Sequence, residues 1–265
     1  DMAAGGDKES LEALIGSIQD MVFNLSLRML GTFPDAEDAS QDILLKVMTH
    51  LSSFKKESSF STWVFRIAAN HLINYKKHMF AQGPLNFEFY GNDIRSGMPR
   101  DLPDLTQDVA EELKMSCTNV MLQCLDMESR CIFILGTMFK LDSTAAGSIL
   151  NMTPEAYRQR LSRIRRKMAD FLTAYCGEYG SGTCRCANRL NYAIQSRRLN
   201  PQVLDYTSAK EIDPETTVSF KNAMEDIDGL ASYFAFCRMY ESPERTKQFL
   251  SSFLESPSLS LVKNA

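Results

Sequence analysis

The chain has 265 residues, 44% apolar and 23% charged, a balance that excludes wholesale disorder. No apolar run approaches the roughly 18 residues of a membrane span, and no signal-peptide layout is seen, so neither a membrane nor a secreted protein is expected. The net charge of −4 argues weakly against a nucleic-acid partner, but the charges are segregated along the chain, and local fields steer a polyanion.

In chain order, Leu11, Leu14, Ile15, Ile18, Met21, Val22 and Leu25 recur at helical spacing and predict a helix from about Ser10, broken by Gly31 and Pro34. Asp35 precedes a second expected helix. Asp38 and Asp42 fall early in it, where acids suit the positive end of the dipole, and Ile43, Leu44, Val47, Met48 and Leu51 form its apolar face. A polar loop, Lys55 to Ser59, leads to a third helix carrying Phe60, Trp63, Val64, Ile67, Ala68 and Leu72. These three predict a helical bundle.

From Lys55 to His78 five basic residues stand against Glu57 alone, interleaved with Phe54, Phe60, Trp63, Phe65 and Tyr75. Aromatics stack on unpaired bases and cations track a single strand. At this spacing Phe60 and Trp63 suit core packing equally well. Asn70 and Asn74, four apart, suit base edges or plain surface.

Residues 81–108 contain Pro84, Pro99 and Pro103 with Gly83, Gly91 and Gly97, and periodicity is lost. Seven acids between Leu85 and Glu112 stand against Arg95 and Arg100. An acidic linker without a core of its own is expected.

Helical patterning returns from Val109 to Leu125 and from Ser129 to Phe139. Cys117, Cys124 and Cys131, spaced by seven, are expected on one helix face about 10 Å apart. That is too far for disulfides, so reduced core cysteines and a cytoplasmic compartment are expected. Asp142 suits the N-cap of a short helix ending near Leu150. Asn151 suits a turn, Thr153 a second N-cap and Pro154 the first helical position. The helix from Pro154 to about Tyr175 carries six basic residues by Met168 against Glu155 alone, with Tyr157, Leu161, Ile164, Met168 and Leu172 on the other face. A short helix, a turn and a longer basic helix make a helix-turn-helix, whose arginines can bond phosphates or guanine.

Gly177, Gly180 and Gly182 break the chain. Further helices are predicted over about Asn188 to Arg198, Pro214 to Tyr240 and Pro243 to Leu254. Cys176, Cys184 and Cys186 form C-x7-C-x-C. Structural cysteines, a redox pair, and a zinc site with a fourth ligand such as Cys237 all remain open, structural cysteines being preferred. Neither a metal site nor a cofactor is therefore expected.

The run Asp35-Ala-Glu-Asp-Ala-Ser-Gln-Asp-Ile-Leu-Leu-Lys-Val47 with Phe54-Lys-Lys-Glu-Ser-Ser-Phe-Ser-Thr-Trp-Val-Phe-Arg-Ile-Ala-Ala-Asn70 resembles domain two of the extracytoplasmic-function sigma factors of bacterial RNA polymerase. Tyr157-Arg-Gln-Arg-Leu-Ser-Arg-Ile-Arg165 is similar to their domain four. The resemblance implies an all-α chain. Residues 8–80 would be domain two, 81–108 the linker, 109–176 domain four and 177–265 a helical, regulatory C-terminal extension.

It further implies that Asp38, Gln41, Asp42 and Leu45 dock on core RNA polymerase. Lys55, Lys56, Ser58, Phe60, Thr62, Trp63, Arg66, Asn70, Asn74, Lys76 and Lys77 would meet the −10 element. Arg158, Gln159, Arg160, Ser162, Arg163 and Arg166 would meet the −35 element. The implied partners are core polymerase, promoter DNA, and an anti-sigma factor or the chain's own extension. The Asp142–Leu150 helix departs from the family by its Gly147 and lacks the usual acids. Rival readings are a stand-alone helix-turn-helix regulator and an anti-sigma-like adaptor. An enzyme is not expected, since His50, His71 and His78 have no paired constellation.

Overall fold

The computed structural model describes residues 8–76, 85–96, 107–195, 198–212 and 238–255. Among these the fold is all-α, with only two isolated bridges, Cys176 with Cys184 and Glu211 with Tyr240. The helices are α1 (Lys8–Leu30), α2 (Phe33–Thr49), α3 (Phe60–Ile73), α4 (Phe87–Ser96), α5 (Gln107–Gln123), α6 (Met127–Phe133), α7 (Ser143–Ile149), α8 (Pro154–Tyr175), α9 (Cys186–Gln195), α10 (Asp205–Ser208) and α11 (Glu244–Glu255). A π turn, Ile134–Met138, extends α6.

Local chemistry sets the boundaries. Gly31, at φ +89°, ends α1 in a conformation that glycine alone adopts freely. The cap of α2 is Thr32 rather than Asp35: its hydroxyl accepts from Asp35 N–H, and Pro34 lies inside the first turn, where a missing donor costs nothing. Ser59, Asp126, Asp142 and Thr153 cap α3, α6, α7 and α8 in the same way.

One continuous core joins the first three helices to α5–α8. Val22, Leu25, Ile43, Val47, Val64 and Leu72 belong to the same buried cluster as Leu122, Phe133, Leu135 and Met168. Phe65 lies in that core, its ring edge-on to Phe139 at 5.2 Å, and is unavailable as a base platform. Arg130, 3% exposed, ties the two halves. Its guanidinium donates to the carbonyls of Met29, Leu122 (2.9 Å), Gln123 (3.2 Å) and Leu125 (2.8 Å), and to Gln123 Oε1 (2.6 Å).

Two expectations are corrected. The cysteine heptad does not share one helix, because Asp126 starts a new one: Cys117 is on α5, Cys124 follows it and Cys131 is on α6. None of the described cysteines is in a disulfide. The expected coreless linker contains α4, whose Tyr90, Asp93 and Ile94 are buried. Phe87 and Tyr90 pack on Phe171 at 5.1 and 5.7 Å, and Arg95 lies over the Tyr175 ring. The helix expected over Pro214–Tyr240 falls almost wholly outside the described residues, as do Lys77 and Cys237.

The C-terminal part wraps back onto the first helices. Asn24 and Tyr240 exchange hydrogen bonds (Asn24 Nδ2 to Tyr240 O, 2.7 Å; Tyr240 N to Asn24 Oδ1, 2.9 Å), and Ser242 N–H donates to Asp20 Oδ1 at 2.7 Å. Leu250 and Leu254 of α11 then enter the main core beside α1 and α2.

Candidate nucleic-acid interface

On α2, Ala39, Ile43, Leu44 and Val47 are buried, which turns Asp38 and Asp42 to solvent with Gln41 and Leu45 half-buried between them. The implied docking residues thus share one acidic face. Beside it, burial raises the Glu37 carboxyl above its usual value while Arg245 of α11, 3.7 Å away, pulls it down.

A groove runs from that face onto α3, lined among others by Asp42, Lys46, Trp63, Asn70, His71 and Lys76. His71, for which the sequence suggested no role, is part of its lining. Lys46 Nζ donates to its Nδ1 at 2.6 Å, and Asp42 lies 3.9 Å from its Nε2. Burial first, then the Lys46 charge, hold the imidazole below its usual pKa, against the pull of Asp42. A neutral ring accepting from lysine is the consistent state.

The loop before α3 presents three rings as one group. Phe54 lies 5.5 Å from Phe60 and 5.4 Å from Trp63, and Phe60 lies 5.8 Å from Trp63, nearly stacked. All three are half-buried, so they pack on the bundle and still show a face. Lys55 and Lys56 are exposed beside them, with Lys56 at φ +59°, and Ser58 is half-buried. Thr62 is held by the capping Ser59, hydroxyl to hydroxyl at 2.8 Å. Asn70, Asn74 and Lys76 are exposed, although Asn74 is engaged as the C-cap, donating to Asn70 O at 2.8 Å.

In the helix-turn-helix, Asn151 takes the left-handed turn conformation at φ +54°. The turn packs so tightly that a Cβ on Gly147 would lie 2.7 Å from Met152 O, which accounts for the departure at that position. Tyr157 anchors α8 by donating to Ile132 O at 3.0 Å. Arg158, Gln159, Ser162, Arg163 and Arg166 are all exposed on α8, and Arg160 is half-buried. Arg158 is braced by Ser143 (2.8 Å) and Glu155 (2.9 Å), and Arg160 pairs with Glu128 at 2.6 Å. Arg165 turns inward instead, to Gly136 O (3.1 Å) and Thr137 Oγ1 (3.2 Å), and is lost to the basic face.

Helix α3 touches the first helix of the helix-turn-helix. Arg66 of α3 donates to Ser148 Oγ of α7 at 2.6 Å, and its Nε is buried without a hydrogen-bond partner. Arg66 and Asn70 line one cleft with Gly147–Thr153. Helix α3 and the helix-turn-helix therefore meet at this edge, while the Trp63 rings and the outer face of α8 stay open.

Residues 14–78 match the sigma-70 region 2 family. The chain is 26% identical to the ECF RNA polymerase sigma factor SigW of Bacillus subtilis, over 62% of this chain and 89% of that one. It is also 26% identical to the RNA polymerase sigma factor NccH of Alcaligenes xylosoxydans xylosoxydans, over 52% of this chain and 73% of the other. Among solved structures, the sigma factor RpoE from Bartonella quintana, in complex with the anti-sigma factor NepR, overlays at a TM-score of 0.37 and 19% identity, over 63% of this chain and 96% of that one. No helix among the described residues is long and apolar enough to cross a membrane.

Proposed function

We propose that the chain is an extracytoplasmic-function sigma factor that binds core RNA polymerase, recognises a two-part promoter and opens it at the −10 element. The observation that carries the reading is one molecule presenting three chemically distinct surfaces: the acidic face of α2, the aromatic and basic edge of α3, and the basic outer face of α8. Each suits one task. Asp38, Gln41, Asp42 and Leu45 dock on the polymerase. Arg158, Gln159, Arg160, Ser162, Arg163 and Arg166 lie in the major groove of the −35 element, where arginine bonds phosphate or guanine. Lys55, Lys56, Ser58, Phe60, Thr62, Trp63, Arg66, Asn70, Asn74, Lys76 and Lys77 hold the melted −10 strand, stacking on bases and tracking the backbone. Capturing an unstacked base offsets an unstacking cost of a few kcal/mol. The chemistry of RNA synthesis belongs to the polymerase, and the chain is no enzyme itself. Its place of action is the cytoplasm.

Two elements a turn or more of duplex apart, at about 35 Å per turn, demand that α3 and α7 separate. The Arg66–Ser148 contact then marks a resting arrangement that promoter engagement breaks. Residues 8–80, 81–108 and 109–176 act as domain two, linker and domain four, with 177–265 as the regulatory extension. That extension holds α1 through Tyr240 and α4 through Arg189 and Arg198, so it acts on the polymerase-facing unit and on the linker at once.

Run-off transcription with purified core polymerase on a promoter set tests the reading. The chain is expected to direct initiation from a discrete subset. Duplex binding without polymerase, and no transcription with it, would instead favour a stand-alone helix-turn-helix regulator.

A further inference from the structure

Asp20, Asn24 and Arg28 stand four residues apart on one face of α1, and all three reach the main chain of one extended stretch. Ser242 N–H donates to Asp20 Oδ1 at 2.7 Å. Tyr240 N–H donates to Asn24 Oδ1 at 2.9 Å, and its carbonyl accepts from Asn24 Nδ2 at 2.7 Å. Arg28 Nη2 donates to the Arg238 carbonyl at 2.6 Å. Helix positions 20, 24 and 28 thus read residues 242, 240 and 238 in antiparallel order. The registers agree because four helical residues advance about 6 Å and two extended ones about 6.8 Å.

The intervening residues are read from the other side. Ile212 N–H donates to Met239 O at 3.0 Å and Glu241 N–H to Lys210 O at 2.8 Å, around the antiparallel bridge of Glu211 with Tyr240. Residues 238–242 therefore lie in a slot with helix side chains as one wall and the 210–212 main chain as the other.

The slot has one deep pocket. The Tyr240 side chain is fully buried among Phe23, Leu27, Phe33, Met115 and Tyr206, and the Arg28 guanidinium lies 5.8 Å from its ring. Two residues before it, Arg238 pairs with Glu111 of α5 at 2.7 Å and with Glu211 at 2.6 Å. Two residues after it, the small Ser242 is buried.

Arg28 shows why the slot calls for an occupant. It is fully buried, and its hydrogen bonds go to neutral oxygens, the Arg238 carbonyl and Asn119 Oδ1 at 3.2 Å. A charge out of water is costly unless such acceptors surround it, and an extended main chain supplies one. Core packing would ask for apolar side chains on this face of α1. Polar side chains at a helical repeat, each bonded to main-chain atoms of alternate residues, are instead the chemistry of strand capture.

We propose that α1 and residues 210–212 form a binding slot for an extended peptide of the pattern basic–x–aromatic–x–small, filled in cis by residues 238–242 and open to exchange with a partner peptide of the same chemistry. The main-chain bonds are blind to side chains and supply affinity. The Tyr240 pocket, with Glu111 and Glu211 beside it, supplies selectivity. The inference does not depend on whether the chain binds polymerase.

The test uses the full-length chain and a fluorescein-labelled peptide of residues 238–244, Arg-Met-Tyr-Glu-Ser-Pro-Glu, followed by anisotropy. Two substitutions free the slot by different routes: Tyr240→Ala empties the pocket, and Arg238→Glu sets a like charge against Glu111 and Glu211. Each variant is expected to bind the peptide saturably, at least about ten-fold tighter than the parent, whose own segment competes. A peptide with alanine in place of its tyrosine, and a Tyr240→Ala chain that also carries Asn24→Ala, should each bind at least about ten-fold more weakly, with helical circular dichroism checked for every variant. The parent itself needs no substitution: excess peptide with a photo-crosslinker in place of its tyrosine should label α1 or α5. No saturable binding to either variant, undiminished binding of the alanine peptide or after Asn24→Ala, or crosslinks that avoid α1 and α5 would overturn the proposal.

Discussion

Asp93→Asn is the sharpest stability test of how the extension grips α4. The Asp93 carboxylate accepts from Arg189 Nη2 at 2.9 Å, from Tyr192 Oη at 2.6 Å and from Arg198 through both terminal nitrogens, Nη2 at 2.8 Å. Its side chain is 8% exposed, that of Arg189 9% and that of Arg198 42%. Removing one partner of a buried ion pair costs about 3–5 kcal/mol, because the remaining charge stays desolvated. Arg198 can regain water, and Arg189 keeps the carbonyls of Asp93 and Ile94, so the low end, about 3 kcal/mol, is expected. Urea unfolding should show a lower midpoint at unchanged slope.

The pH dependence gives a second handle on the same substitution. Burial pushes the Asp93 carboxyl up, but its bonds from Arg198, Tyr192 and Arg189 together outweigh this and leave it below the ordinary value. A depressed folded-state pKa stabilises fully above the unfolded value of about 3.9, and the gain is lost as pH falls through the folded value. The gap between parent and D93N should therefore be full at neutral pH and shrink below about pH 4. A loss under about 1 kcal/mol at pH 7, or a gap that persists in acid, would refute the reasoning.

Other substitutions address other levels. Arg130→Met strips buried carbonyls of α1 and α5 of their donor and should cost at least about 3 kcal/mol, read from thermal melting; a melt matching the parent would contradict the tie between the two halves. Arg163→Ala with Arg166→Ala should lower the salt slope of −35 duplex binding by about 2 without disturbing α8, and an unchanged slope would remove both from the DNA face. Trp63→Ala should weaken strand opening, followed by permanganate reactivity in the assembled complex, by about 1–3 kcal/mol per lost stack. Equal reactivity would make the Phe54–Phe60–Trp63 group packing alone.

What the sequence disclosed was chiefly what is local. Asp142, Thr153 and Pro154 announce α7 and α8 because a cap is read from neighbouring residues. Local signals also misled. Pro34 looks like a break, although proline is welcome in a first turn, and the capping Thr32 stands two residues earlier. In α4, Phe87, Tyr90 and Ile94 keep helical spacing, but Gly91 and the surrounding acids disguise it. The glycine is there because a Cβ would strike the Tyr175 ring. Long-range partners stayed hidden. No spacing rule says that Arg165 turns to Gly136, that Arg66 meets Ser148, that His71 receives Lys46, or that Cys117 meets Tyr90 of α4.

The proposed polymerase docking rests on the acidic face of α2. Asp38 and Asp42 are exposed there, and Asp42 has one weak contact, His71 at 3.9 Å, so reversing both charges leaves the bundle intact. The decisive measurement is the affinity of purified core RNA polymerase for the chain carrying Asp38→Lys and Asp42→Lys, with melting and circular dichroism unchanged from the parent. Loss of binding is the predicted result; undiminished affinity in a folded double variant would contradict it.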